Sequence, residues 1–180
     1  MNSMSKKYND GCAKETNNEN NSCPTILKCG CPRTTNVTTT GTTYTVASVN
    51  ANLDEICNPR VKVDFSANFI VTTTPTANAT LTFQLNKQYR CCSQLEPVGS
   101  AYTVTVPTSA TAGSSSIISF FICDSDLCGD NCFSYVLTAT TSADVNVTLS
   151  NANLAVTATC DRPEKCCKSN NCGCNCGCGR

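Results

Sequence analysis

Along most of this chain, hydrophobic residues return at every second position. In VKVDFSANFIV, residues 61 to 71, Val61, Val63, Phe65, Ala67, Phe69 and Val71 fall on one side, while Lys62, Asp64, Ser66 and Asn68 fall on the other. A β-strand with one buried face has this period. ATLTFQLNKQY, residues 79 to 89, repeats it, with Ala79, Leu81, Phe83 and Leu85 inward and Thr80, Thr82, Gln84 and Asn86 outward. Weaker copies are TTYTVASV (42–49), AYTVTV (101–106), SIISFFIC (116–123), FSYVLTAT (133–140), DVNVTLS (144–150) and ANLAVTAT (152–159). Turn residues separate the runs, and no segment carries an apolar stripe at helical spacing. The pattern predicts an all-β domain, a jelly-roll-like antiparallel β-sandwich of about eight strands. Its Thr-rich edges hold little of the Lys or Pro that blunts unwanted pairing, so an edge can accept a strand of another subunit.

The periodicity stops at both ends. Residues 1–24 are polar, Asn-rich and without apolar rhythm, and residues 160–180 alternate cysteine with Lys, Asn and Gly. Neither composition buries enough surface to offset its ordering entropy. The predicted organisation is a flexible N-terminal connector arm (1–24), a β-sandwich domain (25–159) and a Cys-rich C-terminal tail (160–180).

Composition narrows the function. Thirteen basic and thirteen acidic side chains cancel, so no long-range field gathers nucleic acid or anionic lipid. Only 14% of residues are charged, and a nearly neutral surface does little to resist self-association. Histidine is absent, which removes the commonest general base and metal ligand. Paired carboxylates such as Asp54 and Glu55 adjoin an expected turn, and no nucleophile elbow, phosphate loop or dinucleotide fingerprint occurs. The reading is a non-enzyme without cofactor, nucleic-acid partner or membrane span. A sugar-binding or hydrolytic jelly roll is a weaker reading, because Trp is absent and Tyr is scattered.

The seventeen cysteines carry most of the information. Their density suits a disulfide scaffold, yet the opening MNSMSKKYNDGCAKETNNENN has no apolar core of a secretory signal, so synthesis in a cytoplasm is expected. The two agree if thiols bind metal, or if the cell later opens to air. Extended C-x-C pairs, at Cys29/Cys31 and through Cys172, Cys174, Cys176 and Cys178, sit at the upper limit of disulfide reach. Vicinal pairs, Cys91/Cys92 and Cys166/Cys167, point their side chains oppositely in an extended chain. Both geometries look outward for partners. An odd total leaves one thiol over in an oxidised monomer, and bonds between chains resolve this. Arms of this length reach roughly 70 to 80 Å at ~3.3 Å per residue. The candidates for inter-subunit bonds are Cys12, Cys23, Cys29, Cys31, Cys91, Cys92, Cys160, Cys166, Cys167, Cys172, Cys174, Cys176 and Cys178. Cys57, Cys123, Cys128 and Cys132 are candidates for bonds within the domain. CDSDLCGDNC, with Asp124, Asp126 and Asp130, imitates the start of a calcium loop, but Cys128 and Tyr135 occupy ligand positions. The alternative for the tail is a zinc-type thiolate site on Cys172, Cys174, Cys176 and Cys178. Three N-x-T sequons, at Asn36, Asn78 and Asn146, are what such a composition yields by chance.

ILKCGCP, GTTYTVASV, ICNPRVKVDFSANFI, TLTFQLNKQ and FFICDSDLC together resemble the clostridial family of unknown function numbered 4489, over roughly residues 26 to 159. In general character the chain is also similar to endospore appendage subunits of bacilli, jelly-roll domains joined by a Cys-bearing connector into disulfide-linked fibres. The similarity implies strand augmentation between neighbours and makes Cys12 and Cys23 connector cysteines, although they stand apart where the bacillus connector has a vicinal pair. It implies a homopolymer, with other spore-surface proteins as further partners, at a spore surface (exosporium, coat or appendage). Synthesis in the mother-cell cytoplasm, followed by oxidation after lysis, accounts for cysteine without a signal peptide. The long tail departs from the appendage pattern and suits an anchor or terminal subunit.

Overall fold

A computed structural model describes residues 25–53, 56, 59–89, 93–125 and 132–160. Nine antiparallel strands are present among them: β1 (Thr25–Cys29), β2 (Arg33–Val37), β3 (Tyr44–Asn52), β4 (Pro59–Val71), β5 (Ala79–Tyr89), β6 (Glu96–Val106), β7 (Ser115–Asp124), β8 (Cys132–Thr141) and β9 (Val147–Cys160). They form two sheets. One runs β1-β9-β4-β7, with β2 also on β9, and the other runs β3-β8-β5-β6.

The pairing has a simple rule. β2 lies on β9, β3 on β8, β4 on β7 and β5 on β6, so the chain is one long hairpin rolled up about its middle. Contacts of β4 with β9 and of β5 with β8 close the roll. With β1 and β2 counted as one interrupted strand, this is an eight-stranded jelly roll.

Period-two patterning built the core. Val61, Val63, Phe65, Ala67, Phe69 and Val71 of β4 are all buried, as are Ala79, Leu81, Phe83 and Leu85 of β5. Phe65 and Phe83 meet across the sandwich at 6.0 Å between ring centres, and Phe120 of β7 joins them at 5.0 and 6.1 Å. Truncating a buried Phe of this kind to Ala costs about 3–5 kcal/mol.

The structure corrects the expected strand list in two places. The end of the run 144–150, from Val147 on, and the run 152–159 are parts of a single strand, β9. Between Ser66/Asn153 and Asn68/Ser150 the β4–β9 register shifts by a bulge, and Asn151 there has φ 52°. The extra residue moves the inward phase from Val147 and Leu149 to Ala152, Leu154 and Val156, which in sequence looks like a break between strands. The other difference is β1 and β2, whose mainly exposed side chains carry no alternation; backbone pairing to β9 makes them strands.

Two of the corners between sheets are stitched by side chains. At β2–β3 the Thr35 hydroxyl donates to the Thr45 carbonyl at 3.2 Å. At β6–β7 the Tyr102 hydroxyl donates to the Phe121 carbonyl at 3.1 Å, and the Tyr102 ring stacks on Phe120 at 4.2 Å. Among the described residues, β1 pairs on one side only.

Candidate functional site

The rolled hairpin sorts the loops into two ends. Register places the start of β1, the end of β9 and the start of β4 side by side, as Thr25↔Thr159 and Arg60↔Thr159, with the end of β7 alongside at Val61↔Asp124. In the second sheet the end of β3, the start of β8, the end of β5 and the start of β6 align, through Asn52↔Cys132, Tyr89↔Phe133 and Lys87↔Glu96. Every cysteine except Cys29 and Cys31 belongs to a sequence segment that begins or ends at this pole. The loops at the opposite pole, residues 38–43, 72–78, 107–114 and 142–146, contain none.

Of the cysteines outside this group, Cys29 lies on β1. Ile26 packs toward the core, so Leu27 and Cys29 take the outer face; Leu27 is 66% exposed. On β7, Ile122 and Asp124 are buried, and Phe121 and Cys123 alternate outward. Cys29, Cys31 and Cys123 are free and exposed. Cys29 and Cys123 thus mark the two edge strands of one sheet, on its outer face. β9 and β4 lie between them, a separation of three strand spacings or about 14 Å, so they cannot bond to each other within one chain.

Two of the candidate cysteines at this pole have a described state. Cys160, placed among inter-subunit candidates, is disulfide-bonded within the chain. Cys123, placed among intra-domain candidates, is free and exposed, on the outer face where strand alternation puts it. Cys132 begins β8. Cys12, Cys23, Cys57, Cys91, Cys92, Cys128, Cys166, Cys167, Cys172, Cys174, Cys176 and Cys178 lie outside the described residues, as do Asp54, Glu55, Asp126 and Asp130.

Sequence reading missed a buried polar cluster at the same pole. Lys87 of β5 continues the inward series of Leu81, Phe83 and Leu85, and its ammonium meets Asp124 Oδ2 from β7 at 2.8 Å. The Tyr135 hydroxyl of β8 donates to the same oxygen at 2.6 Å. Burial, then the bond to Asp124, pushes the Tyr135 hydroxyl far above its ordinary range and keeps it protonated as a donor. A Lys on the apolar phase of a strand was the available signal. Asp124 is thereby engaged inward. Among the described residues no group of three or more His, Cys, Asp or Glu could hold a metal ion.

The sequon asparagines are engaged inside the domain. Asn36 Oδ1 accepts from the Thr148 hydroxyl at 2.9 Å, Asn78 Oδ1 accepts from the Thr108 amide at 2.9 Å, and Asn146 Nδ2 donates to the Thr73 hydroxyl at 2.9 Å.

Comparison with solved structures finds remote likenesses. A chain of infectious bursal disease virus, Gx strain, is 14% identical with a TM-score of 0.49, covering 74% of this chain and 33% of that one. The Eiger TNF of S. frugiperda is 8% identical at 0.44, covering 83% and 98%. The CBM22-1 xylan-binding domain of Paenibacillus barcinonensis Xyn10C is 12% identical at 0.33, covering 70% and 96%. The chain thus spans about a third of the viral chain's length. No curated protein matches. The family profile described as Domain of unknown function (DUF4489) matches residues 23–159, the whole sandwich but for its last residue, and the chain belongs to that family.

Proposed function

We propose that this chain is a non-enzymatic structural subunit of a bacterial spore surface layer or appendage fibre, self-assembling through its sheet edges and cross-linked by inter-subunit disulfides. The sorting of cysteines carries the reading. Free thiols stand on the outer face at both edges of one sheet, and the chain enters and leaves the sandwich on adjacent strands at one pole. A subunit with two unlike edges makes head-to-tail contacts, and such contacts generate open filaments where the rotation does not close. β1 is antiparallel to β9, β9 to β4 and β4 to β7, so β1 of one copy beside β7 of the next preserves the antiparallel alternation of the sheet.

Native material run with and without reductant tests the proposal. Heat and detergent are expected to leave polymer, and reductant is expected to release monomer. Mass mapping should find Cys29, Cys123 or the arm cysteines joined to another chain. Polymer that dissociates in detergent alone, or a monomer whose tail thiols are protected by zinc, would overturn it.

A further inference from the structure

The Lys87–Asp124 pair is unusual in its setting. Lys87 is 4% exposed and Asp124 5%, so two opposite charges are held away from water, at a desolvation cost that Coulomb attraction repays only in part. Lys87 lies opposite Tyr135 across β5–β8 and opposite Glu96 across β5–β6. Phe133 lies beneath its ammonium at 5.6 Å and meets Tyr135 edge-on at 5.0 Å. The carboxylate comes from the other sheet. A pocket of about 340 Å³ reaches both groups and is lined by Tyr89, Glu96 and Cys123 among others.

From this geometry we infer that Lys87 and Asp124 are the site of an intramolecular isopeptide bond joining the two sheets. A proton passes from Nζ to Oδ2 along the 2.8 Å contact, leaving an amine and a carboxylic acid. The Nζ lone pair attacks Cγ and forms the C–N bond. The Cγ–Oδ2 bond then breaks, and Oδ2 leaves as water with a second proton from Nζ, steadied by the Tyr135 hydroxyl already bonded to it. Ammonium plus carboxylate gives amide plus water, with no oxidant, reductant or net proton required. Two features favour it. Groups fixed in contact react as though at effective concentrations of about 10⁵–10⁸ M, and the product removes both buried charges.

The inference is independent of the assembly reading, since the bond lies within one chain and survives reductant. Its test is the intact mass of the full chain after complete reduction and alkylation. One water less than the sequence mass is expected, with tryptic peptides 63–90 and 91–165 joined through Lys87 and Asp124. K87R keeps the cation but cannot form this amide, and D124A removes the acceptor; both should restore the full mass. A wild-type chain at full sequence mass, a missing water mapped elsewhere, or K87R still lacking it would overturn the inference.

Discussion

Gly30 shows how a single residue can be fixed by something far away in sequence. It donates its amide to Leu154 O at 2.8 Å, and a Cβ built on it would lie 2.4 Å from the Ser48 carbonyl oxygen. Backbone, unlike a flexible side chain, cannot step aside. G30A is expected to lower stability by about 1–3 kcal/mol, read as a shifted denaturant midpoint with unchanged slope; an unshifted midpoint would mean that β1 and β3 can part at no cost. Tyr44 offers a test in pH. Its phenolic oxygen contacts the Thr38 hydroxyl at 3.1 Å and accepts the amide of Thr39 at 2.9 Å and that of Thr38 at 3.3 Å. The Thr38 hydroxyl foremost, then the amides, favours the phenolate and lowers its pKa. A group depressed on folding contributes stability that is present above its unfolded value near 10 and is lost as pH falls through the folded value. In an ultraviolet titration Tyr44 should give an ionisation step below the ordinary tyrosine range, and Y44F should remove that step. Neither environment is legible in sequence, because each is made by backbone that comes together only on folding.

At the scale of elements, β4 was fully legible, since it follows strict alternation and buries what alternation says it buries, whereas β5 was legible only through Leu85: Asn86, expected outward, is 6% exposed and bonded to Thr138 at 3.1 Å, and Lys87 beside it is buried too. β9 was legible in composition but not in continuity. Asn151 occupies the left-handed region, where Asn is tolerated and β-branched residues are strained. N151V should therefore cost stability while N151G should cost little, measured by thermal unfolding; equal effects would remove the bulge as the reason for Asn. β1 and β2 were not legible as strands, because an edge strand with both faces largely exposed leaves no hydrophobic record and is defined by the neighbour to which it bonds.

For the whole molecule, rolling the hairpin decides which thiols can meet. Among the described residues, strand alternation leaves Cys123 free on the outer face of β7, while Cys160 at the end of β9 is disulfide-bonded. If Cys29 and Cys123 join edges of neighbouring copies, C29S/C123S should retain the monomer fold by circular dichroism yet yield shorter oxidised polymer on non-reducing gels. Unchanged polymer length would assign the links to the pole cysteines instead.

The sequence by itself determined the fold class, most inward faces of the long strands and the neutral, cysteine-rich composition, because these follow from local periodicity and residue content. The tertiary structure alone decided which strand ends share a pole, the outward thiols at two edges and the buried contact of Lys87 with Asp124. Strand pairing is non-local, and residues from different sheets become neighbours only once the hairpin has rolled.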